Sequence, residues 1–266
     1  FHFTRTCMAL ILLGLAAAVM GWRLRPVNPR AVAARSAIHG LAMVIYFGAL
    51  AFLPVALVAG GVFTGAVLVG LGARFACGEA VGPVRSLAVA IGFLGVVLVL
   101  GPEAVSGASI AALLPVLAGA MYATGNIATR EWCPDESAQT LLGGFFLALG
   151  VLGLIGMIVL ALWPIPVPEG AEGFLQRGAV WPSATFYLWT FVQAAGSLLG
   201  VGLMIRAYQI TDAGRASVLE YLILPASAIW SYFIWGETLS FQAVGGMALI
   251  ILAGSIIALR AKVQEM

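Results

Sequence analysis

Charge is what this chain has least of. Only 9% of its 266 residues are Asp, Glu, Lys or Arg, against 62% hydrophobic, where a soluble domain carries about 25% charged residues. That shortage excludes a water-facing surface over most of the molecule. Cysteine is scarce too: Cys7, Cys77 and Cys133 stand far apart, with no CxxC and no Cys/His cluster. Neither a metal centre nor a disulfide framework is expected, and the three read as small apolar fillers at helix ends. There is no GxxxxGK[ST] run and no soluble stretch long enough to house a nucleotide domain, which argues against ATP-driven work within this chain. No cofactor is expected. The net charge of +2 says nothing in favour of nucleic acid as a partner.

What the chain has in plenty is apolar run. Nine stretches of about 20 residues are long enough to cross a bilayer: 4–22, 33–53, 55–75, 84–101, 108–130, 138–163, 183–206, 215–235 and 240–260. They are too long for the strands of an outer-membrane barrel, so the expected fold is an all-α polytopic membrane protein. The 33 glycines and 12 prolines suit tightly packed, locally broken membrane helices. Arg5 ahead of an apolar run closed by Ala16, Ala17 and Ala18 shares features with a secretory signal, but the arginine-rich stretch after it reads as a cytoplasmic loop. The longest loop, Pro164 to Pro182, is flanked by Trp163 and Trp181 as interfacial anchors.

Basic residues set the orientation. Eleven of them (Arg23, Arg25, Arg30, Arg35, Arg74, Arg85, Arg130, Arg206, Arg215, Arg260 and Lys262) fall on one side, and only Arg5 and Arg177 on the other. The richer side is cytoplasmic by the positive-inside rule. This predicts a cytoplasmic C-terminus and, with nine spans, an external Phe1.

Within the eighth span the run Gly214 to Glu237 carries a carboxylate, Glu220. At 100° per residue, Ser217, Glu220, Leu224, Ser227, Ala228 and Ser231 share a sector of about 120°. A carboxylate near mid-bilayer costs about 2.5–3.5 kcal/mol, so this stripe should face protein or a wet cavity. There Glu220 could couple proton movement or meet a cationic part of a solute; alternatively it reaches for Arg215 or the interface. His39 lies at a similar depth in the second span, with Met43, Tyr46 and Leu50 on its face. It reads either as a proton-exchanging group or as an imidazole hydrogen-bonded to a neighbouring helix. The fifth span aligns Pro115, Gly119, Tyr122, Asn126 and Thr129. The seventh aligns Phe186, Trp189, Thr190, Gln193, Ser197, Gly200 and Met204.

Four such stripes suit a pocket for a small amphipathic solute, although each residue could equally be helix–helix glue. The candidate solute-binding residues are therefore Glu220, Tyr221, Ser227, His39, Tyr46, Tyr122, Asn126, Trp189, Gln193 and Ser197. Glu79 and Glu237 end helices at opposite faces and read as groups orienting the next helix through its amides. The spacings Gly61-xxx-Gly65 and Gly196-xxx-Gly200 allow close helix approach.

A shift of 158 residues superposes Gly78-Glu79 on Gly236-Glu237, and Val84–Leu100 on Gln242–Ala258. It pairs spans of opposite direction, as inverted repeats in secondary carriers do. The proline-containing helix with Pro225, the terminal Gly236-Glu237 and the following Gly245-Gly246 resemble the EamA-type drug/metabolite transporter superfamily. Gly78, Glu79, Gly92 and Gly95 give a fainter first copy, with Val67 where the repeat would place proline. The Glu220-Tyr221 pair is similar to a version of this helix in some members.

The resemblance implies an inverted repeat of two five-helix halves, 1–107 and 108–266, with nine of ten helices present and the first one missing. It also implies residence in the plasma membrane, the inner membrane of a bacterium. The expected function is secondary transport of a small organic metabolite, amino-acid-like or otherwise amphipathic, by alternating access and with protons as a candidate coupling ion. Enzymatic activity is not expected. Two alternatives stay open: a membrane-embedded enzyme acting on a lipid or isoprenoid phosphate, and a structural subunit without a solute. The first would call for clustered acids or arginines at a membrane face, whereas the arginines here are dispersed over several loops.

Overall fold

Helix ends are written into the short polar segments between the apolar runs. Asn28 accepts a hydrogen bond from Ala31 N through Oδ1 at 3.2 Å, with Pro29 in the first turn. Ser137 Oγ caps Thr140 N at 3.1 Å, Ser183 Oγ caps Phe186 N at 3.2 Å, and Ser240 Oγ caps Ala243 N at 3.2 Å. Each side-chain oxygen satisfies an amide that the first helical turn leaves unpaired. Gly21, at φ 68°, ends the first helix in the left-handed conformation that glycine adopts at least cost.

The computed structural model describes residues 1–51, 82–100, 113–167, 180–211 and 240–264, together with 53, 58, 62, 173, 176–178, 216, 219–222, 226, 229, 230, 232 and 233. Seven α-helices stand among them: α1 (His2–Met20), α2 (Pro29–Ala49), α3 (Pro83–Leu100), α4 (Leu113–Glu131), α5 (Ala138–Leu162), α6 (Ala184–Ile210) and α7 (Phe241–Gln264). A 3-10 turn spans Glu220–Leu222, and no strand occurs among the described residues. Four helices, α1, α2, α5 and α6, are long and apolar enough to cross a membrane. The chain is an all-α membrane protein. The expected third span, 55–75, and most of the eighth, 215–235, lie outside the described residues. The second span begins at Pro29 rather than 33 because Asn28 and Pro29 start the helix ahead of its apolar run.

The chain forms two compact units. Unit 1 comprises Phe1–Phe52 and Ala128–Ile210; unit 2 comprises Leu53–Ile127 and Thr211–Met266. In unit 1, α1, α2 and α6 pack against α5. Its core includes Ala9, Leu13, Val32, Leu141, Phe145, Phe146, Leu149 and Ala194, all buried. Small residues on α5 permit the approach. A Cβ on Gly144 would lie 2.7 Å from Ser36 Oγ, and one on Gly150 would lie 2.5 Å from Thr6 Cγ2. Thr6 Oγ1 also donates to the Phe146 carbonyl at 3.1 Å.

In unit 2, α3 and α7 pack along their length. Buried Ala88, Gly92, Gly95 and Val96 mark one face of α3, and buried Ala243, Gly246, Ile250 and Ala253 one face of α7. A Cβ added to Gly95 would lie 2.6 Å from the Gly246 carbonyl oxygen, so two backbones meet there. The close approach that Gly196 and Gly200 allow is not used among the described residues: a Cβ at either meets none of their atoms within 4 Å. Those glycines lie on an outward face of α6, away from the face it packs on α1 and α5. Gly61 and Gly65 lie outside the described residues. The outward surfaces are apolar, with Ile11, Leu15, Leu147, Ile155, Leu199 and Leu203 all exposed, as lipid contact requires.

Candidate functional site

In unit 2 the site begins from an amide and an acid. Asn126, on α4, is 2% exposed. Its Nδ2 donates to Glu220 Oε1 at 3.4 Å. Glu220 is half-buried and opens the 3-10 turn to Leu222. Residues in such a turn advance about 120° each, so the uniform helical stripe drawn from the sequence does not hold across Glu220–Leu222. The amide–carboxylate contact nevertheless joins two residues taken from separate stripes. Tyr122 is half-buried one turn before Asn126, and Pro115 and Gly119 are buried on the same helix. The Tyr221 side chain and Ser227 lie outside the described residues.

In unit 1, His39 is 5% exposed. Its Nδ1 lies 3.3 Å from the Arg35 carbonyl oxygen one turn back on α2, and its ring meets Phe145 edge-on at 6.3 Å. Tyr46 is half-buried, its ring edge-on to Phe47 at 5.1 Å. On α6, Gln193 and Ser197 are half-buried and Trp189 is 64% exposed. The Gln193 Oε1 is buried with no hydrogen-bond partner among the described residues. Of the predicted residues, then, Asn126 and Glu220 are bonded to each other, and His39 sits among Arg35 and Phe145. Trp189, Gln193 and Ser197 share a helix without a described bond between them.

Three charged residues that the stripes did not single out prove to be buried. Arg35 is 1% exposed; its Nε donates to Thr129 Oγ1 at 2.8 Å and its Nη1 to the Leu141 carbonyl at 3.2 Å. Glu136, 5% exposed, accepts from Asn28 N through Oε1 at 2.6 Å, at the positive end of α2. Its carbonyl accepts from Gln209 Nε2 at 2.7 Å. The 132–137 loop is thereby bolted to the start of α2 and the end of α6. Burial, with Glu136 adding to it, pushes the Cys133 thiol up, while Arg35 pulls the other way. Arg5 lies over the rings of Phe1, Phe47 and Phe146 at 5.8, 5.8 and 5.5 Å, a cation held by aromatic faces. The signal for Arg35 was a charge just inside an apolar run, four residues before His39. Glu136, in a short loop, gave none.

Unit 1 also contains a cleft of about 740 Å³ bounded by α1, α5 and α6. None of the predicted residues lines it. Among the described residues no group of three or more His, Cys, Asp or Glu could hold a metal ion.

Bilayer-length apolar helices that bury several hydrogen-bonded polar side chains define a multi-pass α-helical membrane protein. No family model matches the chain. It is similar to an uncharacterized transporter of Helicobacter pylori, 25% identical over 180 residues that cover 68% of this chain and 57% of that protein. It is also similar to a riboflavin transporter of Rhizobium johnstonii, 26% identical over 223 residues, 84% of this chain and 68% of that one. A riboflavin transporter of Vibrio cholerae is 23% identical over 181 residues, 67% of this chain and 54% of that one. The chain thus spans little more than half the length of the Helicobacter and Vibrio proteins. In fold it is similar to a protein crystal structure at TM-score 0.77 and 20% identity, with 98% of this chain and 87% of that one covered.

Proposed function

We propose that the chain is a secondary transporter moving a small organic metabolite across a bacterial inner membrane by alternating access, as an EamA-type member of the drug/metabolite transporter superfamily. The observation that carries this reading is the Asn126–Glu220 contact. A carboxylate inside an apolar segment is expensive unless a partner or water meets it, and a half-buried acid bonded to a buried amide is placed to exchange a proton or to meet a cationic solute group. In unit 2 the solute-contacting residues are Glu220, Asn126 and Tyr122, with Tyr221 and Ser227; in unit 1 they are His39, Tyr46, Trp189, Gln193 and Ser197. The proposal includes an inverted repeat of two halves, 1–107 and 108–266, with nine spans in all and a cytoplasmic C-terminus. The names of the relatives support a small metabolite as cargo and make riboflavin the first solute to try.

The test is flux. The chain is reconstituted in proteoliposomes, and uptake of riboflavin and of a broad metabolite mixture is followed with and without a pH gradient. Saturable uptake of at least one solute is expected. Folded, inserted protein that moves none of them overturns the assignment.

A further inference from the structure

The cleft in unit 1 is polar at one end only. Along α1 it runs from Leu12 toward Trp22, and along α6 from Ala195 to Arg206. Either path is about 15 Å of helix at 1.5 Å per residue, the depth of one leaflet in a hydrocarbon core about 30 Å thick. Its walls through that depth are leucine and alanine with Gly202. Trp22, Ser137, Gln139 and Arg206 gather where α1 ends, α5 begins and α6 nears its end. Of its lining, Leu199 and Leu203 are exposed, so the cleft opens toward acyl chains. Arg206 is exposed and makes no ion pair among the described residues.

We infer that this cleft seats one anionic phospholipid, its acyl chain along α1, α5 and α6 and its phosphate on Arg206. The match is one of charge and of polarity profile: a single cation at headgroup level, hydrogen-bonding side chains beside it, and a leaflet's depth of apolar wall beneath. Ser137 and Gln139 can donate to phosphate or glycerol oxygens, and Trp22 puts an amphipathic ring at the interface. The seat contains none of the residues assigned to the solute, so it stands or falls independently of the transport reading.

The experiment uses the full chain, exchanged from detergent into vesicles of equal phosphatidylglycerol and phosphatidylcholine, then re-extracted and examined by native mass spectrometry. The wild type should retain phosphatidylglycerol over phosphatidylcholine by about fivefold. Arg206→Gln should erase that preference and Arg206→Lys should keep most of it. Gly202→Leu grows into the cleft from a position whose Cβ makes only ordinary contact, 3.5 Å from Leu142. It should lose both lipids at unchanged helical content; Leu203→Trp serves as the filling variant if Gly202→Leu does not fold. Equal retention of the two lipids by the wild type overturns the proposal. So does an unchanged ratio in Arg206→Gln, or a dimer that Gly202→Leu abolishes, since the cleft would then belong to a second copy of the chain.

Discussion

Glu220 lies in an apolar segment with its carboxylate bonded to Asn126, which is itself buried. Glutamine at 220 is nearly the same shape and can still bond Asn126, but it cannot take up and release a proton. The expected result of Glu220→Gln is normal expression and helical content with the pH-gradient-driven part of uptake abolished. Uptake that stays fully gradient-dependent would remove Glu220 from the coupling. Cys133 offers a separate check on the polar cluster around it. Thiolate is the reactive form, and burial holds this thiol above its ordinary range. Maleimide labelling of Cys133, mapped by peptide mass spectrometry, should be many-fold slower in the folded chain than after unfolding in SDS, and should accelerate at a higher pH in the folded chain.

Glu220 and His39 were legible in the sequence because a titratable group in an apolar run stands out by itself. The environments of Arg35 and Glu136 were not. Their partners sit 94, 106 and 108 residues away, and no local pattern reports a contact across that distance.

At the scale of elements, the tightest described contact between α3 and α7 is one of backbone on backbone. Gly95→Ala would drive a methyl group into the Gly246 carbonyl, and overpacking of this kind costs about 1–3 kcal/mol. Gly245→Ala, on α7, puts its methyl group where no atom lies within 4 Å, and alanine favours a helix over glycine. Thermal unfolding in detergent should therefore show a lowered midpoint for the first and none for the second. If the two variants melt alike, α3 and α7 do not touch at Gly95.

Helix existence was readable from run length alone, because lipid accepts only structures that satisfy their own backbone. Which glycines mark contacts was not. The spacing Gly196-xxx-Gly200 looks like an interface and faces outward, whereas Gly95, Gly144 and Gly150 are the positions where a neighbour presses in. Spacing gives the periodicity of a helix, but the direction of its crowded face depends on what packs there.

For the molecule as a whole, the eleven-to-two division of basic residues yields an orientation. A fluorescent protein fused after Met266 should fold and glow in cells, and a reporter active only outside the cytoplasm should be silent at the same place. The reverse pattern would invert the proposed topology. Each compact unit is assembled from two separated stretches of chain, and nothing in composition announces where one stretch gives way to the next.

That interleaving bears on how the molecule is made. Arg35 rides on α2, the least apolar of the four bilayer-length helices. Two groups that accept from its guanidinium, Thr129 Oγ1 and the Leu141 carbonyl, belong to chain still unsynthesised when α2 leaves the ribosome. Those two bonds of the Arg35 guanidinium can therefore close only once α4 and α5 have been made, long after α2 itself.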